Sequence, residues 1–155
     1  MNNKRAIAVS IGKPRNGQPT DFAACPPIVN VYIGCDDTWS PDSEELPQHN
    51  GVTYLAMIDT GAEDTVIDSE VAQEIGAKNI HTGVIHGFEG TKQVGGVDVQ
   101  IIFPIANIAF AGRAGITSFR SAGQTFDLIL GRSFLSHCEF FVDGPNDRYR
   151  LNWIG

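Results

Sequence analysis

A chain of 155 residues with 42% hydrophobic and 19% charged residues has the composition of an ordinary globular protein and the length of one domain. Its formal net charge of -7 and the lack of any Lys/Arg cluster argue against nucleic acid as a partner, because phosphate binding needs clustered cations. No apolar run approaches the roughly 18 residues of a membrane span, and the short apolar stretch after Lys4 and Arg5 is too short for a signal-peptide core, so a cytoplasmic location is expected.

The chain reads as mainly β, with one or two short helices. Residues 6–11 form a short apolar segment expected as a strand, and residues 14–25 are polar and irregular. The β-branched run at 28–34 is a strand. Residues 35–51 form an acidic loop, long for a compact domain. A strand over 52–58 runs into Asp59, and a second resumes at 65–67. Asp68 or Ser69 caps a short helix that ends at Gly76. Residues 82–99 carry five glycines among β-formers, which predicts a long hairpin with its tip near residues 87–90. Residues 100–110 are β-like. The segment 126–131 is a buried strand stopped by glycine, residues 132–138 make one or two helical turns, and 139–142 with 149–153 flank a turn at 143–147.

Cys25, Cys35 and Cys138 are odd in number and widely spaced, which fits free thiols in a reducing compartment and no zinc pattern. The four histidines show no metal-ligand spacing, and neither a metal nor a cofactor is expected. His137 and Cys138 are adjacent, so on a strand they face opposite sides and make a poor nucleophile–base pair.

The chemistry concentrates at Asp59-Thr60-Gly61. The apolar lead-in delivers one carboxylate to the end of a buried strand. Thr60 adds a hydroxyl suited to a tight space, and Gly61 permits positive φ or the close approach of another backbone. One such carboxylate can be a cap or an ion-pair partner. Two within about 3 Å cannot both ionise and hold one proton between them, which makes an acid/base pair able to activate water. The chain carries a single Asp-Thr-Gly, so a second carboxylate would come from another copy. Some 70 residues on, Ile129-Leu130-Gly131-Arg132 repeats the apolar-apolar-glycine pattern.

These two segments resemble the retropepsin family, the dimeric aspartic proteases of retroviruses and their cellular and bacterial relatives. The resemblance implies a closed, barrel-like, all-β acid-protease fold with one lobe per chain. It divides the chain into an N-terminal extension (1–25, a short strand or a pro-segment) and a protease domain (26–155). By the same resemblance Asp59 is catalytic, Thr60 bonds its counterpart across the dimer, and the Gly61 backbone lies beside substrate. Ala62, Glu63 and Asp64, with the hairpin-tip residues His86, Gly87, Phe88 and Glu89 of a substrate-covering flap, are expected to contact substrate. Leu130, Gly131 and Arg132 are expected to support the loop. The family often has Asp where this chain has Glu63, which is still able to pair with Arg132. Phe88 and Glu89 also depart from a tip of small residues, which points away from the substrate preference of a viral enzyme.

The function implied is an aspartic endopeptidase acting as a homodimer on extended peptides. The alternative is a catalytically inactive module of the same fold, used for dimerisation or peptide binding. A cysteine hydrolase built on Cys138 and His137 ranks well below both.

Overall fold

Tyr54, Ala56 and Ile58 alternate into the core along β4 (Tyr54–Ile58), while Leu55 between them is exposed. This period-two pattern sets the strand's face and therefore where Asp59 emerges. The computed structural model describes residues 4–15, 17–18, 20–78, 81–87 and 90–155. In chain order these form β1 (Arg5–Ile7), β2 (Ser10–Ile11), β3 (Pro27–Gly34), β4, β5 (Thr65–Asp68), α1 (Ser69–Glu74), β6 (His81–Gly87), β7 (Gly90–Phe103), β8 (Ile108–Thr117), β9 (Leu128–Leu130), α2 (Arg132–Leu135), β10 (Cys138–Asp143) and β11 (Arg148–Trp153).

The larger sheet runs β2-β3-β4-β9-β5-β8-β7-β6. It closes because β3 changes partner along its length. Ile28 to Val31 pair with β4, whereas Tyr32 to Gly34 pair with β7. The expected all-β, barrel-like lobe is therefore what forms. Val29, Val31 and Ile33 from β3, Leu128 and Leu130 from β9, and Phe134 from α2 fill its interior. Each such buried side chain contributes about 1.5–3 kcal/mol over its exposed state.

A second sheet, β1-β11-β10, lies outside the barrel. β1 pairs Arg5 with Trp153 and Ile7 with Leu151. Lys4 bridges Glu139 at 2.8 Å, the Arg5 guanidinium donates to the Asn107 carbonyl oxygen at 2.6 Å, and Phe22 stacks on Tyr149.

Two expectations of strand extent need correction. Residues 6–11 are not one strand. The chain leaves the outer sheet after Ile7 and enters the barrel sheet at Ser10, so each half satisfies a different ladder. Residues 100–110 are not one element either. Pro104 ends β7, Asn107 takes φ 51° and its N–H donates to the Pro104 carbonyl, turning the chain into β8. β8 then continues to Thr117 through Gly112, Arg113 and Gly115, which break any apolar alternation.

The helix cap is Asp68, whose carboxylate accepts from the Glu70 N–H at 2.8 Å. Gly76, at φ 69°, ends the helix in the left-handed region that glycine adopts without steric cost. The 35–51 loop is pinned rather than loose. The Asp36 carboxylate accepts from Gln48 N–H and from the Thr38 hydroxyl and N–H, which hold it below the usual carboxylate range. The Trp39 indole donates to the Glu45 carbonyl.

Candidate active site

β4 and β9 run side by side and parallel, with Ala56 opposite Leu128 and Ile58 opposite Leu130. Where the two strands end, the Asp59 N–H donates to the Leu130 carbonyl at 3.1 Å. Asp59 is half-buried there, and the Gly61 N–H donates to its Oδ1 at 2.8 Å. The Ala62 N–H returns to the Asp59 carbonyl at 3.3 Å, which closes the turn. Gly61 is not at positive φ. A side-chain Cβ there would stand 3.1 Å from Asp59 Oδ1, so its absence leaves that oxygen uncrowded.

The loop after Asp59 is held from below by α2. The Arg132 and Ser133 N–H groups, which open that helix and lack intrahelical acceptors, donate to the Ala62 and Glu63 carbonyls at 2.9 and 2.8 Å. Gly131 makes this approach sterically feasible. A Cβ at that position would meet the Asp64 carbonyl at 2.5 Å and the Ala62 carbonyl at 2.9 Å. Arg132 Nη1 donates to the Thr60 and Gly61 carbonyls, both at 3.0 Å. The expected pairing of Arg132 with Glu63 is absent among the described residues. The guanidinium reaches main-chain oxygens instead, and the Glu63 side chain is exposed. Phe134, fully buried against Phe103, Phe110 and Trp153, anchors the helix.

Asp59 thus lies with Thr60, Gly61, Ala62, Leu130, Gly131 and Arg132 in one bonded unit. Thr60 and Gly61 are exposed, Ala62 is half-buried, and the Glu63 and Asp64 side chains face solvent. The hairpin β6–β7 is continuous from His81 opposite Gly96 to Gly87 opposite Gly90. His86 pairs with Thr91 in that ladder, while Phe88 and Glu89 lie outside the described residues.

The thiol–imidazole alternative finds no support. The His137 ring stacks on Trp153, and burial pushes the Cys138 thiol up to about 12, far from the thiolate a nucleophile requires.

Sequence reading missed the polar clamp behind β4. Asp127 Oδ2 accepts from the Leu55 N–H, and Oδ1 accepts from Arg120 Nε. The Arg120 guanidinium also contacts Glu74 at 2.6 Å and Glu70 at 3.5 Å, and its bonds to Glu74 and Asp127 hold its pKa up. Asp127, set between Phe126 and Leu128 in an apolar run, was the available signal.

A single barrel lobe presenting an Asp-Thr-Gly turn underpinned by Gly-Arg defines a retropepsin-like aspartic protease architecture. Residues 47–134, more than half of the chain, match the family model described as aspartyl protease, and the chain belongs to that family. The fold is similar to that of a retropepsin-like aspartic protease from Rickettsia conorii, at 18% identity and a TM-score of 0.54 over 94% of each chain. It is also similar to the retroviral protease-like domain of Ddi1 from Leishmania major, at 20% identity and a TM-score of 0.44, covering 68% of this chain and 88% of that one. No curated protein matches the chain. No helix among the described residues is long and apolar enough to cross a membrane.

Proposed function

We propose that this chain is an aspartic endopeptidase that works as a homodimer, each copy giving one Asp59 to a shared dyad. The observation that carries the reading is the state of Asp59. It is a half-buried carboxylate at the end of a core strand, steadied at one oxygen by the Gly61 N–H, in a loop strapped at four carbonyls by α2 and Arg132. That investment in a rigid loop suits a group that must meet its counterpart across a two-fold axis, the commonest symmetry of soluble oligomers.

In the proposed reaction the dyad holds one proton. The ionised Asp59 takes a proton from a water whose oxygen attacks the scissile carbonyl carbon. The protonated Asp59 of the second copy gives its proton to the carbonyl oxygen, forming a neutral tetrahedral diol. The C–N bond then breaks as the newly protonated Asp59 gives its proton to the amine nitrogen while the ionised Asp59 of the second copy takes one from a diol hydroxyl, leaving a carboxylic acid, a free amine and a dyad that again holds one proton. No covalent enzyme intermediate forms. Thr60 would bond its counterpart beside the dyad, while Gly61 to Asp64 would line the extended peptide. The β6–β7 hairpin would close over that peptide as a flap, with His86 to Glu89 at its tip.

The test is cleavage of a diverse peptide library by wild type and Asp59→Asn, with sedimentation of both. The reading expects cleavage that Asn abolishes and a dimer stabilised by a statin-type analogue. Undiminished cleavage by the Asn variant, or a strict monomer in the presence of that analogue, would defeat it.

A further inference from the structure

The 35–51 loop ends on Asn50-Gly51, and a set of hydrogen bonds converges there. The Gly51 N–H donates to His49 Nδ1 at 3.1 Å. The Val52 N–H donates to Asn50 Oδ1 at 3.0 Å, and Asn50 Nδ2 donates to the Tyr54 hydroxyl at 3.0 Å. That hydroxyl in turn donates to Glu74 Oε2 at 3.1 Å. The His49 ring is itself held, stacked on Tyr32 with centroids 4.2 Å apart and planes 9° from parallel. His49, Asn50 and Gly51 are exposed, so water reaches the group. The proposed peptidase mechanism uses none of these residues.

The bonds prepare successive steps of an intramolecular reaction. An asparagine side chain that accepts from the N–H two residues on curls over the peptide group between, which brings Cγ beside the next residue's nitrogen. Here that nitrogen belongs to glycine, which has no side chain to obstruct the approach. Gly51 sits at φ 78°, with open space where a Cβ would stand. His49 Nδ1 already accepts the proton that this nitrogen must lose to become a nucleophile. The Val52 N–H already bonds the oxygen on which negative charge builds when Cγ is attacked.

We propose that Asn50-Gly51 is a self-modifying site, which converts to aspartate and isoaspartate through a cyclic imide. The Gly51 nitrogen gives its proton to His49 and bonds Asn50 Cγ. The Cγ–Nδ2 bond then breaks, and Nδ2 leaves as ammonia with that proton. One water opens the imide at either carbonyl. Opening at Cγ leaves an aspartate side chain, and opening at the main-chain carbonyl leaves a backbone routed through the side chain. The product changes the contacts around it. A carboxylate has no proton to give the Tyr54 hydroxyl, whose own proton is committed to Glu74. It also places a second negative charge beside that hydroxyl, so the reaction ends by loosening the loop from Tyr54.

Mass spectrometry of proteolytic peptides follows conversion at Asn50 in the native protein and in the urea-unfolded chain, at one pH and temperature. The native protein should react about 10-fold faster, well inside what one positioned base contributes. His49→Phe keeps a ring for the Tyr32 stack but removes the base, and should bring the native rate down to that of the unfolded chain. Isoaspartate, detected with an isoaspartyl methyltransferase, should appear beside aspartate. A native rate no faster than the unfolded one overturns the proposal, as does a rate that His49→Phe leaves unchanged. Aspartate without isoaspartate would mean direct hydrolysis by water and overturn it too. Asn50→Asp, which reproduces one product, should lower Tm by about 2–4 °C. An unchanged Tm would overturn the loosening of the loop. None of these readouts measures peptidase activity, so the proposal stands or falls apart from that reading.

Discussion

Asp59 and Asp68 lie nine residues apart, at the near and far ends of the stretch that contains β5, and they are treated in opposite ways. Asp68 is 1% exposed and accepts from the Glu70, Phe119 and Arg120 N–H groups at 2.7–2.9 Å. Burial alone would raise its carboxyl, but those bonds outweigh it and leave the carboxyl below its usual value. Asp59 is half-buried, and one N–H reaches its Oδ1. A carboxylate ringed by donors is committed to holding chain segments together. A steadied carboxylate with oxygen left open remains available to water or a second acid. Burial and donor count, rather than residue type, separate the structural acid from the candidate catalytic one.

The sharpest way to break this contrast is to remove each carboxylate in turn. Asp59→Asn should lower peptidase activity by about 10²–10⁴-fold or more while urea unfolding stays near wild type, because Asn keeps the acceptor for the Gly61 N–H. Equal damage to stability would place Asp59 with Asp68 among structural acids. Next in size, Gly131→Ala should cost about 3 kcal/mol in urea unfolding, since its Cβ would press on main-chain oxygens that have little room to move.

Asp68→Ala should cost about 1–3 kcal/mol by leaving the Phe119 and Arg120 N–H groups without their acceptor. The contribution also has a pH signature. Because the folded value is lowered, the ionised form stabilises the fold above the unfolded value near 3.8, and the stabilisation is lost as pH falls through the lower folded value. The stability gap between wild type and Asp68→Asn, read by thermal melts, should therefore narrow below about pH 4. A gap that widens on acidification would reverse the assignment.

Arg132→Lys should reduce activity by about 10-fold with a stability loss of about 1 kcal/mol, since a Lys ammonium at the end of a flexible stem lacks the planar, pre-organised group whose Nη1 donates to both the Thr60 and Gly61 carbonyls. Smallest of all, iodoacetamide at neutral pH should leave Cys138 unmodified by mass spectrometry and activity unchanged, in line with a thiol pushed up to about 12.

The elements that could be read in advance are those whose side chains carry the signal. The β-branched run of β3, the acid at the helix cap and the glycine-punctuated hairpin each declare themselves through propensity or turn chemistry. Asp59-Thr60-Gly61 and Gly131-Arg132 were legible not because either short motif is rare but because an apolar run leads into each and the two together resemble the retropepsin signature. Arg132 was assigned the wrong partner because its acceptors are carbonyl oxygens, which every residue possesses and no sequence distinguishes. β8 was cut short because Gly112, Arg113 and Gly115 hide a strand whose pairing with β7 and β5 is supplied by neighbours. The break within residues 6–11 was invisible for the same reason, since both halves are apolar and only their distant partners differ.

The parallel pairing of β4 with β9 also has a consequence in time. Thr60 and the arginine that holds it are 72 residues apart, and α1, the hairpin and β8 all lie between them. Contacts of such long sequence separation form only after the intervening loop has been closed, which makes them slow relative to local structure. A chain still being synthesised, or partly melted, has the aspartate but no platform to aim it. If the proposed activity holds, the molecule comes into being with its cutting edge unassembled, and its neighbours are spared until folding is finished.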